Sequence, residues 1–338
     1  MRSYPLSSLR PALLSAVALT LVTTGCSGGK DEPQAARPTF SPPAISATPA
    51  PRSADGLSLP LEAYFLTPDQ SRTVARAQSM LTSDCMRRFG FSYPVNTGSS
   101  GISPVREVLR PLFLSESTAA RWGYHPTAER QAQVKSSQGG AAPKLSPAAQ
   151  TVLTGTAKSH GGKDVPKGGC FAHGRDSVES GAAKVTLPPW MKGADDDKPP
   201  PGAPPAMRSA RADPGYLPQS MLNGAFDLAL SDPRTKQADA GWSACMKQSG
   251  YAYASVDAIL RNSKWAESDA PSASEIATAV ADARCRVKVK YGGLMYALQL
   301  GYQKAMIDMY ADSLNQVKQA NEARVRNATR VLSGNAAG

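Results

Sequence analysis

The sequence predicts a mainly α-helical protein: a disulfide-stapled bundle of two related halves around a long C-terminal helix, with a disordered tether and linker. Three observations carry this expectation. Apolar residues recur at three/four spacing from Ser274 to about Val331, among them Ile276, Val280, Ala283, Val287, Tyr291, Leu298 and Met309, which reads as one helix with an apolar stripe. Opposite that stripe lie Thr278, Ala281, Cys285 and Gly292, a second face of small residues that a neighbouring element can approach closely. The third observation is an internal repeat. Ser83-Asp-Cys-Met-Arg-Arg-Phe-Gly-Phe-Ser-Tyr93 and Ser243-Ala-Cys-Met-Lys-Gln-Ser-Gly-Tyr-Ala-Tyr253 share Ser, Cys, Met, a basic residue, Gly, an aromatic and Tyr in the same order.

The amino terminus reads as an export signal over residues 1–25. Arg2 and Arg10 provide the positive region, Ala12 to Val22 the apolar run, and Thr23-Thr24-Gly25 the small residues before Cys26. The apolar run is about half of the ~20 residues that a membrane-spanning helix needs. The pattern resembles a bacterial lipobox, with Thr23 in place of the usual leucine. That resemblance implies diacylation of the Cys26 sulfur and a protein held by lipid on the extracytoplasmic face of the cell membrane. An ordinary secretory signal with an incidental cysteine is the plainer alternative.

Export decides the expected state of the other cysteines. Of the 5 in the chain, Cys85, Cys170, Cys245 and Cys285 remain after Cys26, and an even number in an oxidising compartment reads as two disulfides. Three pairings are possible. The repeat selects Cys85 with Cys170 and Cys245 with Cys285, because each half then consists of one Cys-Met helix stapled to a later helix.

Taken in order, residues 26–57 are rich in Pro, Ala and Ser and read as a tether that cannot bury enough surface to offset its ordering entropy. Residues 58–187 form the first half. Thr67, Pro68 and Asp69 are an N-cap, a first-turn proline and a first-turn acid opening a helix that Gly90 closes. Val105 to Leu114 reads as a short helix or strand, and Leu145 to Gly155 as a two-turn helix capped by Ser146. Thr156 to Gly169 reads as loop, and Cys170 starts another short helix reaching Ser180. Residues 188–215, with acids at Asp195 to Asp197 and clustered prolines, read as a linker. The second half, 216–333, opens with a helix over Met221 to Leu230, followed by Asp232-Pro233, Trp242 and the second repeat copy. The functional reading of the repeat is a paired binding site; the structural one is a stapled helix with a glycine C-cap and an aromatic lid.

The lipobox, the Cys245-Met-Lys-Gln-Ser-Gly-Tyr251 run after Asp232-Pro-Arg234 and Trp242, the glycine pair before Cys170, and Val280-Ala-Asp-Ala-Arg-Cys285 together resemble a family of export-tagged actinobacterial lipoproteins with a repeated Cys-Met helix motif. The resemblance covers most of the chain outside tether and linker. It implies location and fold, and brings no activity with it.

Composition narrows the partners. The net charge of +11 places an exported, tethered protein near anionic lipid headgroups and wall polymers. Nucleic acid is not expected, since Arg284, Arg286, Lys288, Lys318 and Arg324 are spread along the C-terminal run, interrupted by Asp308, Asp312 and Glu322, and read as a solvated face.

No residue constellation announces chemistry. Cys170 with His173, and His160 with Asp164, have ligand-like spacing, but exported cysteines more often pair with each other, and no metal or cofactor is expected. Cys170 with His125, His160 or His173 would need a reduced thiolate outside the cell. Ser99 and Ser100 lie between glycines without a nucleophile-elbow pattern, and Gly161-Gly162-Lys163 lacks the remaining P-loop residues and reads as a mobile basic loop. Glu62, Asp69, Asp84, Glu179 and Asp308 are acids that only folding can bring together, and Asn327 heads a sequon. Two function classes follow: an envelope binding or scaffolding lipoprotein, and an envelope hydrolase whose site assembles only in three dimensions. A pocket with two carboxylates, or a carboxylate and a histidine, favours the second; exposed aromatics without such a cluster favour the first.

Overall fold

Helices form where the caps and periodicity place them. The structure, a computed structural model, describes residues 38–95, 103–137, 143–191 and 210–334. In the first half, α1 (Pro68–Arg88), α2 (Pro104–Leu109), α3 (Glu116–Trp122), α4 (Ala128–Ser137) and α5 (Pro147–Thr154) precede a hairpin of β1 (Ser159–His160) and β2 (Lys163–Asp164), then α6 (Gly169–Glu179). The second half contains α7 (Tyr216–Ser231), α8 (Pro233–Gln248), α9 (Val256–Leu260), α10 (Ala273–Lys288), α11 (Tyr291–Met309) and α12 (Ala311–Leu332). No helix among the described residues is long and apolar enough to cross a membrane.

The caps are those the sequence announces. Thr67 and Gln70 form a reciprocal capping box on α1, Ser146 caps α5, and the Asp232 carboxylate accepts from the Arg234 amide at the start of α8. Gly161 and Gly162, both with positive φ, form the hairpin turn, so the segment expected as a mobile loop is a tight β-turn.

Both disulfides pair as the repeat requires: Cys85 with Cys170 and Cys245 with Cys285, with Cα atoms 5.5 and 5.7 Å apart. The repeat copies also share local geometry. Each helix ends at a glycine in the left-handed region, Gly90 (φ 80°) and Gly250 (φ 88°). The next residue then donates its amide back to the methionine carbonyl: Phe91 to Met86 at 3.1 Å, and Tyr251 to Met246 at 2.9 Å. The copies are equivalent supersecondary units.

The halves nevertheless share one core. Its main cluster joins Leu59, Leu61, Val105 and Leu109 of the first half to Leu217, Leu222, Met295, Leu298 and Leu314 of the second. Helix α12 lies on α1 and α6, while α3 lies on α10, so the halves cross over rather than stand apart.

Three differences from the sequence reading have physical causes. The helical run from 273 to 332 is long, but two breaks divide it into α10, α11 and α12. Lys290 adopts φ 55° and ψ 35° at the first break, the one non-glycine residue with positive φ among those described; Tyr310 marks the second. The expected stripe is also not buried along its length: Val287 is 72% and Met309 51% exposed. What α10 buries instead is Glu275, Thr278, Asp282, Cys285 and Arg286 beside two alanines. Arg286 is only 3% exposed, which corrects its place on a solvated face. Hydropathy misses such a surface because it scores a paired charge as an exposed one.

The remaining differences concern the tether and linker. Residues 38–57 have no helix or strand, as their prolines dictate, yet Phe40, Ile45, Ala54 and Leu57 pack on the main core. This strap crosses α11 where Gly293 and Gly301 leave room: a Cβ on Gly293 would lie 1.7 Å from the Pro49 carbonyl oxygen, and one on Gly301 2.3 Å from Pro43. Arg234 also donates to the Pro43 carbonyl at 2.9 Å. The ends of the linker likewise fold onto the body, as 3₁₀ turns at Pro189–Met191 and Ala210–Ala212. Asp195 to Asp197 lie outside the described residues.

Candidate binding cleft and buried polar clusters

Folding distributes the candidate chemical residues rather than gathering them. Cys170 is bonded to Cys85 and fully buried, which removes it as zinc ligand or nucleophile. His160 lies against the Phe91 ring with centroids 4.9 Å apart, and His173 has a lowered pKa, chiefly because burial disfavours its charged form. No group of three or more His, Cys, Asp or Glu among the described residues is placed to hold a metal. Asp69 pairs with Arg72, Asp84 with Arg87, Glu62 accepts from Ser103, Glu179 lies 3.9 Å from Arg324, and Asp308 is exposed. Lys163 donates to the Arg88 carbonyl from its hairpin at 2.8 Å. The Asn327 amide donates to the carbonyls of Val178 and Ser180 at 2.9 and 2.8 Å, so the sequon side chain joins α12 to the end of α6. Cys26, Ser99 and Ser100 lie outside the described residues.

Two polar clusters escaped the sequence reading. In the first, Asp282 forms a two-pronged pair with Arg286 at 2.7 and 2.6 Å and accepts from Trp242 Nε1 at 2.9 Å and Tyr124 Oη at 3.1 Å. Two turns earlier, Glu275 Oε1 takes the Tyr124 amide and His125 Nδ1, each at 2.8 Å, while His125 Nε2 meets the Ser268 carbonyl at 2.8 Å. The Ser268 carbonyl first, and then Glu275, raise the His125 pKa. A carboxylate and a histidine do meet, but their side chains are only 4% and 8% exposed. Trp242 and Asp282 are fully buried. A substrate has no access to these groups, whose geometry joins α10 to α8 and the segment after α3.

The second cluster centres on Asp232, which accepts from Arg234 Nε at 2.8 Å, Arg234 Nη2 at 2.7 Å and Tyr302 Oη at 3.0 Å. The Arg234 hydrogen bonds hold its carboxyl below the usual range. Because Arg234 also binds the strap, this cluster ties α7, α8, α11 and Pro43 together. Asp282 and Arg286 stand at i,i+4 on either side of Cys285, a spacing that could have flagged a pair but not its burial.

A cleft of about 470 Å3 lies between α7, the end of α11, the Pro189–Met191 turn and the start of the strap. Phe40, Trp190, Tyr216 and Tyr310 give it an aromatic lining. Trp190 Nε1 donates to Tyr310 Oη at 2.7 Å, and Arg211 Nε to Tyr216 Oη at 3.2 Å, so these rings are fixed by their polar ends. Ser220, Asn223, Asp227 and Ser231 line it from α7 at helical spacing, on the helix face that begins with Tyr216. Met221, Gly224 and Met306 complete the lining. Among its described lining residues, Asp227 is the sole carboxylate, and no histidine faces it. Sequence reasoning missed the cleft because Phe40, Trp190 and Arg211 fell inside segments read as tether and linker. Comparison with protein-family models, curated proteins and solved structures finds no match to the chain.

Proposed function

We propose that this chain is a membrane-anchored extracytoplasmic lipoprotein that works by binding, as a ligand-binding or scaffolding component of the cell envelope. The cleft carries the reading: aromatic and polar side chains line it together, with one carboxylate and no histidine among the described lining residues. The hydrolase alternative loses its main support because the carboxylate–histidine pair, Glu275 with His125, is sealed. The anchor rests on the export signal and Cys26, and on the resemblance to export-tagged actinobacterial lipoproteins.

Two experiments test the two parts. Cys26→Ser should release the protein from the membrane fraction or stop its processing, since a diacylated cysteine assisted by basic charge is the proposed anchor. Affinity purification from detergent-solubilised envelope should recover a ligand or partner with the wild type and lose it with Trp190→Ala. Unchanged membrane association of Cys26→Ser defeats the anchor, and identical recovery with both proteins defeats the cleft.

A further inference from the structure

We infer that the cleft beside α7 takes a neutral sugar ring of an envelope glycan, an assignment that rests on the binding role proposed above. The lining makes two different demands on a ligand. Trp190 and Tyr310 contribute flat, electron-rich rings that suit weakly positive C–H groups, while the Tyr216 ring carries the Arg211 guanidinium 6.0 Å from its centroid. The face of α7 offers hydrogen bonds at fixed intervals. Asp227 and Ser220 make no side-chain hydrogen bond to any described residue, and Asn223 uses its oxygen for Gln219 at 3.0 Å while its amide protons have no partner among the described residues. A ligand therefore has to be apolar on one face and rich in hydroxyls at its edge. Pyranose rings have that construction.

The same inventory disfavours other ligand classes. A fatty acyl chain would desolvate Asp227, Asn223 and Ser220 without giving them partners. An anionic ligand would meet the Asp227 carboxylate, which accepts hydrogen bonds only, and Arg211, the one cation among the described lining residues, is already engaged with the Tyr216 hydroxyl and ring. A hydroxylated ring satisfies it, because adjacent hydroxyls can both donate to one ionised carboxylate in short, charge-assisted bonds. The cleft volume, about 470 Å3, falls within the ordinary range for small-molecule sites.

The strap adds the location. Pro38 and Phe40 line the cleft, and about a dozen residues separate Pro38 from Cys26, a reach of roughly 40 Å at full extension. With Cys26 lipidated, the cleft stays within that distance of the membrane surface, where newly exported or membrane-proximal glycan is found. Without the docked strap, the leash would be more than twice as long.

The test is a titration of the full-length protein in detergent with neutral tetrasaccharides of N-acetylglucosamine and of glucose, read by tryptophan fluorescence. One of them should give a saturable change in emission. Asp227→Ala should weaken binding about tenfold, equivalent to ~1.4 kcal/mol, and leave the unfolding midpoint unchanged or slightly raised, because alanine suits an exposed helical position. Trp190→Phe should remove the fluorescence response while calorimetry still detects binding. Binding that is indifferent to Asp227→Ala overturns the assignment, as does the absence of any response at millimolar saccharide. If saccharides fail but a protein or peptide is captured through the cleft and lost with Trp190→Ala, the binding role stands and the sugar falls. If nothing is captured either, both fall.

Discussion

The hydroxyl of Ser243 donates to the carbonyl oxygen of Tyr253 across 2.6 Å, and in the first repeat copy Ser83 does the same to Tyr93 across 2.7 Å. In each case a serine two residues before the stapled cysteine pulls the extended segment back over its own helix. The bond accounts for the serine of the repeat; the tyrosine takes part only through its backbone carbonyl.

Ser243→Ala and Ser83→Ala should each lower stability by about 1 kcal/mol, the usual net value of one such hydrogen bond. Urea denaturation at neutral pH measures the loss. If the bonds are equivalent, the two losses will agree within a few tenths of a kcal/mol; a neutral effect at either position would show that copy to be held otherwise.

The disulfides close loops of different length, with sequence separations of 85 and 40. Loop-closure entropy predicts about 4.5 and about 4 kcal/mol respectively, acting through the unfolded state. Removing Cys245 and Cys285 together by alanine substitution should therefore destabilise the whole protein, because the halves share one core. Non-reducing peptide mapping checks the pairing first, and a linked peptide joining Cys85 to Cys245 would refute it.

Gly293→Ala and Gly301→Ala should release the strap without weakening α11. In an exposed helix the substitution is worth up to ~1 kcal/mol in favour of alanine, but here each new Cβ would collide with the proline-rich segment. Trypsin reports the result at Arg52, which lies in the strap. Cleavage there should accelerate at least severalfold in both variants. Unchanged cleavage would mean that the strap is not held by these notches.

The ion clusters set opposite pH limits. His125 has a folded-state pKa above 6.5, so the stability it contributes is complete below pH 6.5 and lost as pH rises through the folded value. Asp232 lies below its ordinary 3.8, so its contribution is present above pH 3.8 and lost as pH falls through the folded value. Asp239, raised by burial, acts in the opposite sense on the acid side. His173, lowered by burial, opposes His125, because its contribution is lost as pH falls below 6.5. The expected signature is therefore differential: His125→Gln should flatten the loss of stability above pH 6.5 and leave the acid limb unchanged. Thermal unfolding across pH decides this; a wild-type alkaline limb identical to that of the variant would exclude His125 as its source.

The sequence by itself determined the helical class, the ends of α1, α5 and α8, the repeat and the cystine pairing. These depend on local chemistry: caps, first-turn prolines, C-terminal glycines and a cysteine spacing that recurs with its surroundings. Only the tertiary structure decided that Arg286 is buried, that the C-terminal helical run breaks at Lys290 and Tyr310, and that Pro43 and Pro49 lie in the notches of α11. It also decided that Trp190, Tyr310 and Asp227 line one cleft. Each of these outcomes depends on partners distant in sequence. A charge is buried when its counter-charge and hydrogen bonds arrive with it, and a proline-rich segment orders when another element offers a groove that fits, so neither could be inferred from composition or periodicity alone.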